Sequence, residues 1–97
     1  AMILPANAQP TPAPFVVVES GRGFARLQDA VNAIGDRAGT IRIAPGTHRD
    51  CAVQRAGQIH FVAAQPGTAT FDGVTCEGKA ALVLRGRGAR VEGLVFQ

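Results

Sequence analysis

The strongest constraint on the fold is a series of short strand-like segments separated by turns. The tripeptide Pro-Gly-Thr starts at Pro45 and again at Pro66, 21 residues later. Residues typical of strands occupy six segments around these turns: 40–44, 52–54, 58–63, 68–71, 81–85 and 90–96. A period of about 20 residues is typical of solenoids, in which each strand pairs in parallel with its equivalent in the next coil. Successive hairpins are the alternative, but Asp72-Gly73 is the one dipeptide typical of two-residue hairpin loops.

A single amphipathic helix is predicted before the repeat, after a strand at 15–19. Its apolar residues recur at helical spacing: Phe24, Leu27, Val31 and Ile34. Ser20 or the glycine-rich turn after it is expected to start the helix, and Gly35 to end it. The first coil of a solenoid exposes apolar side chains and unpaired strand edges. We therefore expect this helix to cap the first coil rather than to bind a partner.

Three motifs in this order resemble those of a known fold. They are Leu27, Gln28, Ala30 and Ala33 in the helix; Ile41, Ile43, Pro45 and Gly46, with His48 at a usual tyrosine position; and Val91, Glu92, Gly93, Leu94 and Phe96. They resemble the N-terminal part of right-handed parallel β-helix proteins of the pectate-lyase-like superfamily, over residues 15–97. The resemblance implies an all-β solenoid: a short right-handed parallel β-helix of about three coils with an N-terminal capping α-helix. That superfamily includes polysaccharide lyases, hydrolases, epimerases and phage tailspikes, so the resemblance does not identify a function.

The first residues favour an exported protein. Residues 3–8 resemble the end of a secretory signal peptide, with Ala6 and Ala8 at the positions that signal peptidase reads, before Gln9. A Pro/Ala-rich leader is the alternative, and the segment up to residue 14 resembles a linker in both cases. We expect residues 1–14 to precede the folded domain at 15–97, and the location to be periplasmic or secreted.

The two cysteines fit export. Cys51 and Cys76 are 25 residues apart in a small domain, and an oxidising compartment would join them in a disulfide. Such a bridge would hold an inserted loop at 72–79 against the preceding coil. The alternatives are two free thiols, or a metal site in which His48 joins the two cysteines, although three ligands fall short of a complete set. We predict the disulfide, no metal and no cofactor.

Composition excludes several classes of protein. A chain of 97 residues, 46% apolar and 18% charged, is typical of one globular domain. No apolar run reaches the roughly 20 residues of a membrane span, so no membrane segment is predicted. Arg85, Arg87 and Arg90 form a basic cluster that could attract phosphate or an acidic polysaccharide, but two glycines mark a turn there. The net charge of +3 and the lack of a known module argue against nucleic-acid binding.

Aligning the strands predicts which side chains point outward. Ile41, Ile59 and Val91 form one inward column in this alignment. Because side chains alternate along a strand, Arg42, His60 and Glu92 then form one outward row. An imidazole, a carboxylate and a cation could act in acid–base chemistry if they met in a cleft. We expect instead a solvated sheet face with weakly paired charges, and hence no catalytic site, although this row could contact polysaccharide.

The last segments are rich in apolar residues and lack a polar closing repeat. Solenoids usually end in an atypical repeat that is polar on its outer side. We therefore expect an apolar end formed by Leu82, Leu84, Leu94 and Phe96. A second copy of the chain would cover this end, so the sequence predicts a homodimer or larger closed assembly. The overall prediction is a non-catalytic, self-assembling exported module; the alternatives are an N-terminal part of a carbohydrate-active β-helix enzyme, or an acidic-polysaccharide-binding module.

Overall fold

Residues 13–97, the part of the chain that the computed structural model describes, form ten short strands and one helix. In chain order these are β1 (Phe15–Val17), β2 (Arg22–Phe24), α1 (Leu27–Ile34), β3 (Ala38–Ile43), β4 (Gly46–His48), β5 (Ala52–Gln54), β6 (Gln58–Ala63), β7 (Ala69–Phe71), β8 (Leu82–Leu84), β9 (Gly88–Glu92) and β10 (Leu94–Phe96). The predicted signal-peptide end, with Ala6, Ala8 and Gln9, lies outside the described residues.

The strands are grouped in three sheets. The largest has the order β2-β1-β3-β6-β9 and is mixed, because β1 runs antiparallel to both β2 and β3 while β3, β6 and β9 are parallel. A three-stranded sheet has the order β10-β7-β4, and a two-stranded sheet pairs β5 with β8; both are parallel. Their inward side chains meet in one core, with Phe15, Phe61 and Phe71 among its largest members.

The prediction of a right-handed parallel β-helix, an all-β solenoid, is wrong. The main sheet is mixed, since the segment before the helix folds into an antiparallel hairpin whose strand β1 pairs with β3, Phe15 opposite Ile43. The spacing of paired strands is also uneven. Ala38 pairs with Gln58 and Gln58 with Gly88, so the offset rises from 20 to 30 residues. Residues 13–97 form a mixed-sheet globule with one short helix, and their strand pairing has no constant repeat.

The predicted alignment of β6 with its neighbours is displaced by two residues. Ile41 lies opposite Phe61, which lies opposite Val91, whereas Ile59 lies opposite Gly39 and Ala89. A shift of two residues keeps every side chain on the same face of the sheet. Ile59 is consequently buried although its expected cross-strand partners were wrong.

The helix begins at Leu27 because a distant carboxylate caps it. The N–H of Leu27 donates to Oδ2 of Asp50 over 2.9 Å, so neither Ser20 nor the glycine-rich turn starts the helix. Asp50 is buried and also accepts from the N–H of Cys51. Phe24 is the last residue of β2 rather than part of the helix, and the helix ends before Gly35 as predicted. Its apolar face is buried in the core through Leu27, Ala30, Val31 and Ile34.

One side chain of the helix covers the outer edge of β5. Oε1 of Gln28 accepts from the N–H of Val53 over 2.7 Å, and its Nε2 donates to the carbonyl of Val53 over 3.0 Å. The amide thus takes the place of a neighbouring strand. At the same end of the molecule β1 covers the edge of β3. The edges of β3 and β5 at this end are therefore occupied by the chain itself, which reduces their tendency to pair with other chains, whereas β2 and β4 remain the edge strands of their sheets.

Candidate functional site

An apolar cavity of about 650 Å³ lies where the three sheets end. Its walls include side chains from the last strand of each sheet: Leu82 and Leu84 from β8, Val91 from β9 and Phe96 from β10, above Phe71 of β7. We call this surface the terminal face. Leu84, Val91 and Phe96 are 42%, 39% and 48% exposed. Among residues 13–97, Val18 is the one other large apolar residue of comparable exposure. The terminal face therefore concentrates the exposed apolar surface of the described chain.

The terminal face matches the predicted apolar end in most of its residues. Leu82, Leu84 and Phe96 line it, whereas Leu94 packs against the core and is absent from the lining. Val91, which the alignment placed in the interior column, is exposed at this face. The exposure of Val91 could have been predicted from its inward direction in the last strand of the alignment. In the last strand of a sheet, an inward side chain has no following strand to cover it.

Aromatic rings lead from the core to this face. His48, Phe71 and Phe96 occupy one register of the three-stranded sheet, and the rings of Phe71 and Phe96 are stacked with centroids 5.7 Å apart. Phe15 stacks on Phe71 from the core side at 6.4 Å. Phe71 is buried by these neighbours, while Phe96 has no ring on its outer side among the described residues. The order of the stack thus leaves the last ring available to a partner.

A disulfide holds the loop that forms the rim of the terminal face. Cys51 and Cys76 are joined, with their Cα atoms 5.6 Å apart, as the sequence predicted. The bridge links the residue before β5 to the loop between β7 and β8. His48, the third residue of the alternative metal site, instead donates from Nε2 to the carbonyl of Ala44 over 2.7 Å.

The predicted outward row of Arg42, His60 and Glu92 is two rows in the structure. His60 lies opposite Thr40 and Arg90, whereas Arg42 and Glu92 flank Val62 in the adjacent row. His60 and Glu92 nevertheless meet diagonally, with 3.3 Å between Nε2 and Oε1. The same Oε1 lies 2.6 Å from Nε of Arg90. One oxygen of Glu92 therefore lies near both an imidazole and a guanidinium, although Nε2 of His60 has no hydrogen-bond partner among the described residues.

A shallow polar groove of about 450 Å³ runs beside this pair. Its polar lining residues are Glu19, Thr40, Gln58, His60 and Arg90. Oε1 of Glu19 accepts from the N–H of Thr40 over 2.8 Å, and this hydrogen bond lowers the pKa of the Glu19 carboxyl. The groove offers hydrogen-bonding groups on an open sheet face rather than an enclosed site.

The three clustered arginines point to different partners. Nη2 of Arg85 lies 2.6 Å from the carboxylate of Glu77, and this contact lowers the pKa of the Glu77 carboxyl. Nη2 of Arg87 donates to the carbonyl of Asp36 over 2.8 Å, and Arg90 is paired with Glu92. The basic cluster seen in the sequence therefore does not converge on one anion site.

Comparison with known proteins identifies no relative. The chain matches no known protein family, no curated protein and no solved structure. The resemblance to the pectate-lyase-like superfamily therefore has no support from these comparisons. Within residues 13–97, no helix is long and apolar enough to cross a membrane. The disulfide is compatible with an extracellular location.

Proposed function

We propose that this protein is a non-catalytic, exported module that self-associates through its terminal face into a homodimer. The observation that carries the proposal is the cavity of about 650 Å³ lined by exposed Leu84, Val91 and Phe96, where all three sheets end. The disulfide supports export to an oxidising compartment, periplasmic or extracellular. The pairing of the Arg85, Arg87 and Arg90 side chains with acidic groups or a carbonyl supports a non-catalytic role for that surface.

Strand edges give the terminal face the means to recognise a second copy. Within residues 13–97, β8, β9 and β10 are each the last strand of their sheet on this side, so each has an edge with no further strand. Unpaired backbone N–H and C=O groups along such an edge pair readily with another strand. Two copies related by a two-fold axis would present the same edges to one another, as an isologous interface requires.

The opposite end of the molecule has fewer open strand edges than the terminal face. There β1 covers β3, and the Gln28 amide occupies the edge of β5. A terminal face therefore cannot pair with β3 or β5 of another copy, and β2 and β4 are the edge strands at that end. An isologous contact between two terminal faces uses the same surface of both copies, so this contact closes as a dimer instead of growing into a filament.

The exposed apolar side chains set the expected strength of the dimer. Burying the remaining surface of a half-exposed Leu, Val or Phe contributes roughly 1 kcal/mol. Association costs about 4–15 kcal/mol in lost translational and rotational freedom. Three such side chains from each copy together offset a cost near the lower end of this range only. Strand pairing must supply the rest, and we expect a dissociation constant in the micromolar range.

Sedimentation equilibrium of the wild type at several concentrations tests the dimer. We expect a dimer at tens of micromolar, and a monomer for Phe96→Asp, because a carboxylate at the end of the aromatic stack would be buried without a partner. Val18→Asp is the matched control, since Val18 is 45% exposed and lies outside the terminal face. A wild-type monomer at these concentrations, or equal dissociation by the two variants, contradicts the proposal.

The polar groove favours a second candidate function, weak binding of an acidic polysaccharide. Thr40, Gln58, His60 and Arg90 line an open sheet face on which a chain of sugar rings could lie, with the two basic groups facing its carboxylates. Glu92 neutralises part of this charge, which predicts low affinity.

Titration with a defined oligogalacturonate, followed by amide chemical shifts, tests this second function. We expect shifts that cluster on β6 and β9 and an affinity that falls about tenfold in His60→Ala, equivalent to one lost hydrogen bond. Arg87→Ala is the control, because Arg87 lies outside the groove. Equal losses in both variants would indicate nonspecific charge attraction, and absence of shifts at millimolar ligand would exclude this function.

A further inference from the structure

We infer that the Cys51–Cys76 disulfide controls self-association, so that the dimer forms in the oxidised protein and dissociates on reduction. The inference rests on the proposed function. It depends on how the loop between β7 and β8 is held and on what that loop contributes to the terminal face.

The loop supplies half of the residues that line the terminal cavity. The loop residues in the lining are Gly73, Val74, Thr75, Lys79, Ala80 and Ala81. Most of the loop is exposed, so it forms a rim over the apolar side chains of β8, β9 and β10. A partner that docks on the terminal face must contact this rim. The shape of the association surface therefore depends on the position of the loop.

Few contacts fix the middle of the loop. Its two ends are anchored by backbone hydrogen bonds, from Asp72 to His48 and from Ala52 to Ala81. Between them, residues 73–80 form backbone hydrogen bonds only within the loop, where Cys76 pairs with Ala80. Apart from packing, the disulfide and the ion pairs of Glu77 with Arg55 and Arg85 join these residues to the rest of the described chain.

The ion pairs cannot replace the disulfide. Exposed pairs of this kind contribute about 0–1 kcal/mol each. Glu77 also has a φ of 54°, in the left-handed region that a residue with a side chain adopts at a cost of about 1 kcal/mol. Relaxation of this residue would favour movement of the loop once the covalent link is gone.

The other side of the disulfide belongs to the rigid part of the molecule. The N–H of Cys51 donates to Oδ1 of Asp50, whose Oδ2 accepts from Leu27 at the start of α1. Ala52 and Val53 follow directly in β5 and are buried. Breaking the bond therefore releases the loop and leaves β5 and the helix in place.

The chemical step is reduction by a dithiol. A thiolate of the reductant attacks one cysteine sulfur, the Cys51–Cys76 bond breaks, and a mixed disulfide forms. The second thiol of the reductant then displaces the cysteine and closes a cyclic disulfide. Two electrons and two protons pass to the protein, which holds two thiols, while the reductant is oxidised by the same amount. Dimer formation must then order the loop, which lowers the affinity.

Two measurements on the full chain, with and without dithiothreitol, test the inference. Sedimentation equilibrium should give a dissociation constant about tenfold higher or more after reduction and in the double variant Cys51→Ser/Cys76→Ser. Amide hydrogen exchange should become faster in residues 73–80 and stay unchanged at core residues such as Ile41 and Phe61. Arg55→Ala is the control, because it removes one ion pair of the loop and keeps the disulfide; it should leave the dimer intact.

The outcomes separate this inference from the function on which it rests. An oxidised protein that is monomeric overturns the proposed dimer, and loop exchange in the same sample still shows whether the disulfide shapes the face. A dimer of equal affinity in both redox states overturns the switch alone. Faster exchange throughout the core after reduction also overturns it, because the disulfide would then stabilise the whole fold rather than the loop.

Discussion

Replacing Gly57 by alanine is expected to lower the free energy of unfolding by about 3 kcal/mol or more, a large fraction of the total stability of a domain of this size. Gly57 has a φ of 78°, and a Cβ added there would lie 2.5 Å from the carbonyl oxygens of Gly35 and Arg37. These atoms belong to the backbone between α1 and β3, which the hydrogen bond from Gln58 to Arg37 holds in place. Neither the new methyl group nor the carbonyls have room to move without separating β6 from β3.

Gly67→Ala is the matched control. Gly67 has a similar φ of 80°, but a Cβ there would have no neighbour within 4 Å. Its substitution should cost about 1–2 kcal/mol, the strain of a left-handed alanine alone. Urea unfolding followed by circular dichroism measures both. Equal losses in the two variants would show that the conformational strain, and not the contact with the carbonyls, limits position 57.

Local patterns in the sequence predicted the strands and failed on their direction. β5 and β6 have the predicted bounds, because turn residues delimit both segments and the apolar residues of β6 alternate as in a half-buried strand. The direction of β1 relative to β3 cannot be recognised from such a pattern, because an alternating sequence is the same pattern in parallel and antiparallel strands. The antiparallel hairpin of β1 and β2 therefore overturned the expected solenoid. β2 itself, with the sequence Arg-Gly-Phe, has one half-buried residue and no recognisable pattern.

Long-range contacts account for the other failures in the fold. The helix begins at Leu27 because of Asp50, which is 23 residues away in the sequence. The β5 edge is covered by Gln28, whose bond to Val53 spans 25 residues. Asp50 and Val53 are both distant in the sequence from the helix residues that they contact. Local capping patterns favour Ser20 instead, because they include only neighbouring residues.

In the candidate site, too, local patterns predicted some features correctly, whereas features that depend on long-range contacts were missed. Leu82, Leu84 and Phe96 were identified because apolar residues in a last strand must face either a core or a partner. The outward row containing His60 was assigned to the wrong neighbours, since registers two residues apart present the same face. The two registers differ in whether the large buried side chains of Ile41 in β3 and Phe61 in β6 lie opposite each other, as they do in the structure. That choice depends on how the whole core packs and not on the pattern of one strand.

A substitution of the buried residue Gln54 is the second one that we expect to cause a large loss of unfolding free energy. Its side chain is 1% exposed and lies at the corner between β5 and β6. Nε2 lies 3.2 Å from the carbonyl of Ala56 and 3.0 Å from those of Gly57 and Gly88. The amide therefore links the turn between β5 and β6 to Gly88, the first residue of β9. Its Oε1 is buried and has no hydrogen-bond partner among the described residues.

Gln54→Glu should lower the free energy of unfolding by about 3–5 kcal/mol at pH 7, because it places a buried carboxylate against three carbonyl oxygens. Gln54→Met, the control, removes the same hydrogen bonds without a charge and should cost about 1–3 kcal/mol. Burial and the facing carbonyls would raise the pKa of the new carboxyl in the folded state above its unfolded value. The unfolded state then loses its proton first as pH rises, so the penalty is present at pH 7 and shrinks as pH falls through the folded pKa.

Urea unfolding of both Gln54 variants at pH 7 and pH 5 measures this difference. We expect the gap in unfolding free energy between the glutamate and methionine variants to narrow at pH 5, because a protonated carboxyl can again donate one hydrogen bond to a facing carbonyl. A gap that stays constant would mean that the carboxylate has turned to solvent. The corner between β5 and β6 would then open more easily than the burial of Gln54 implies.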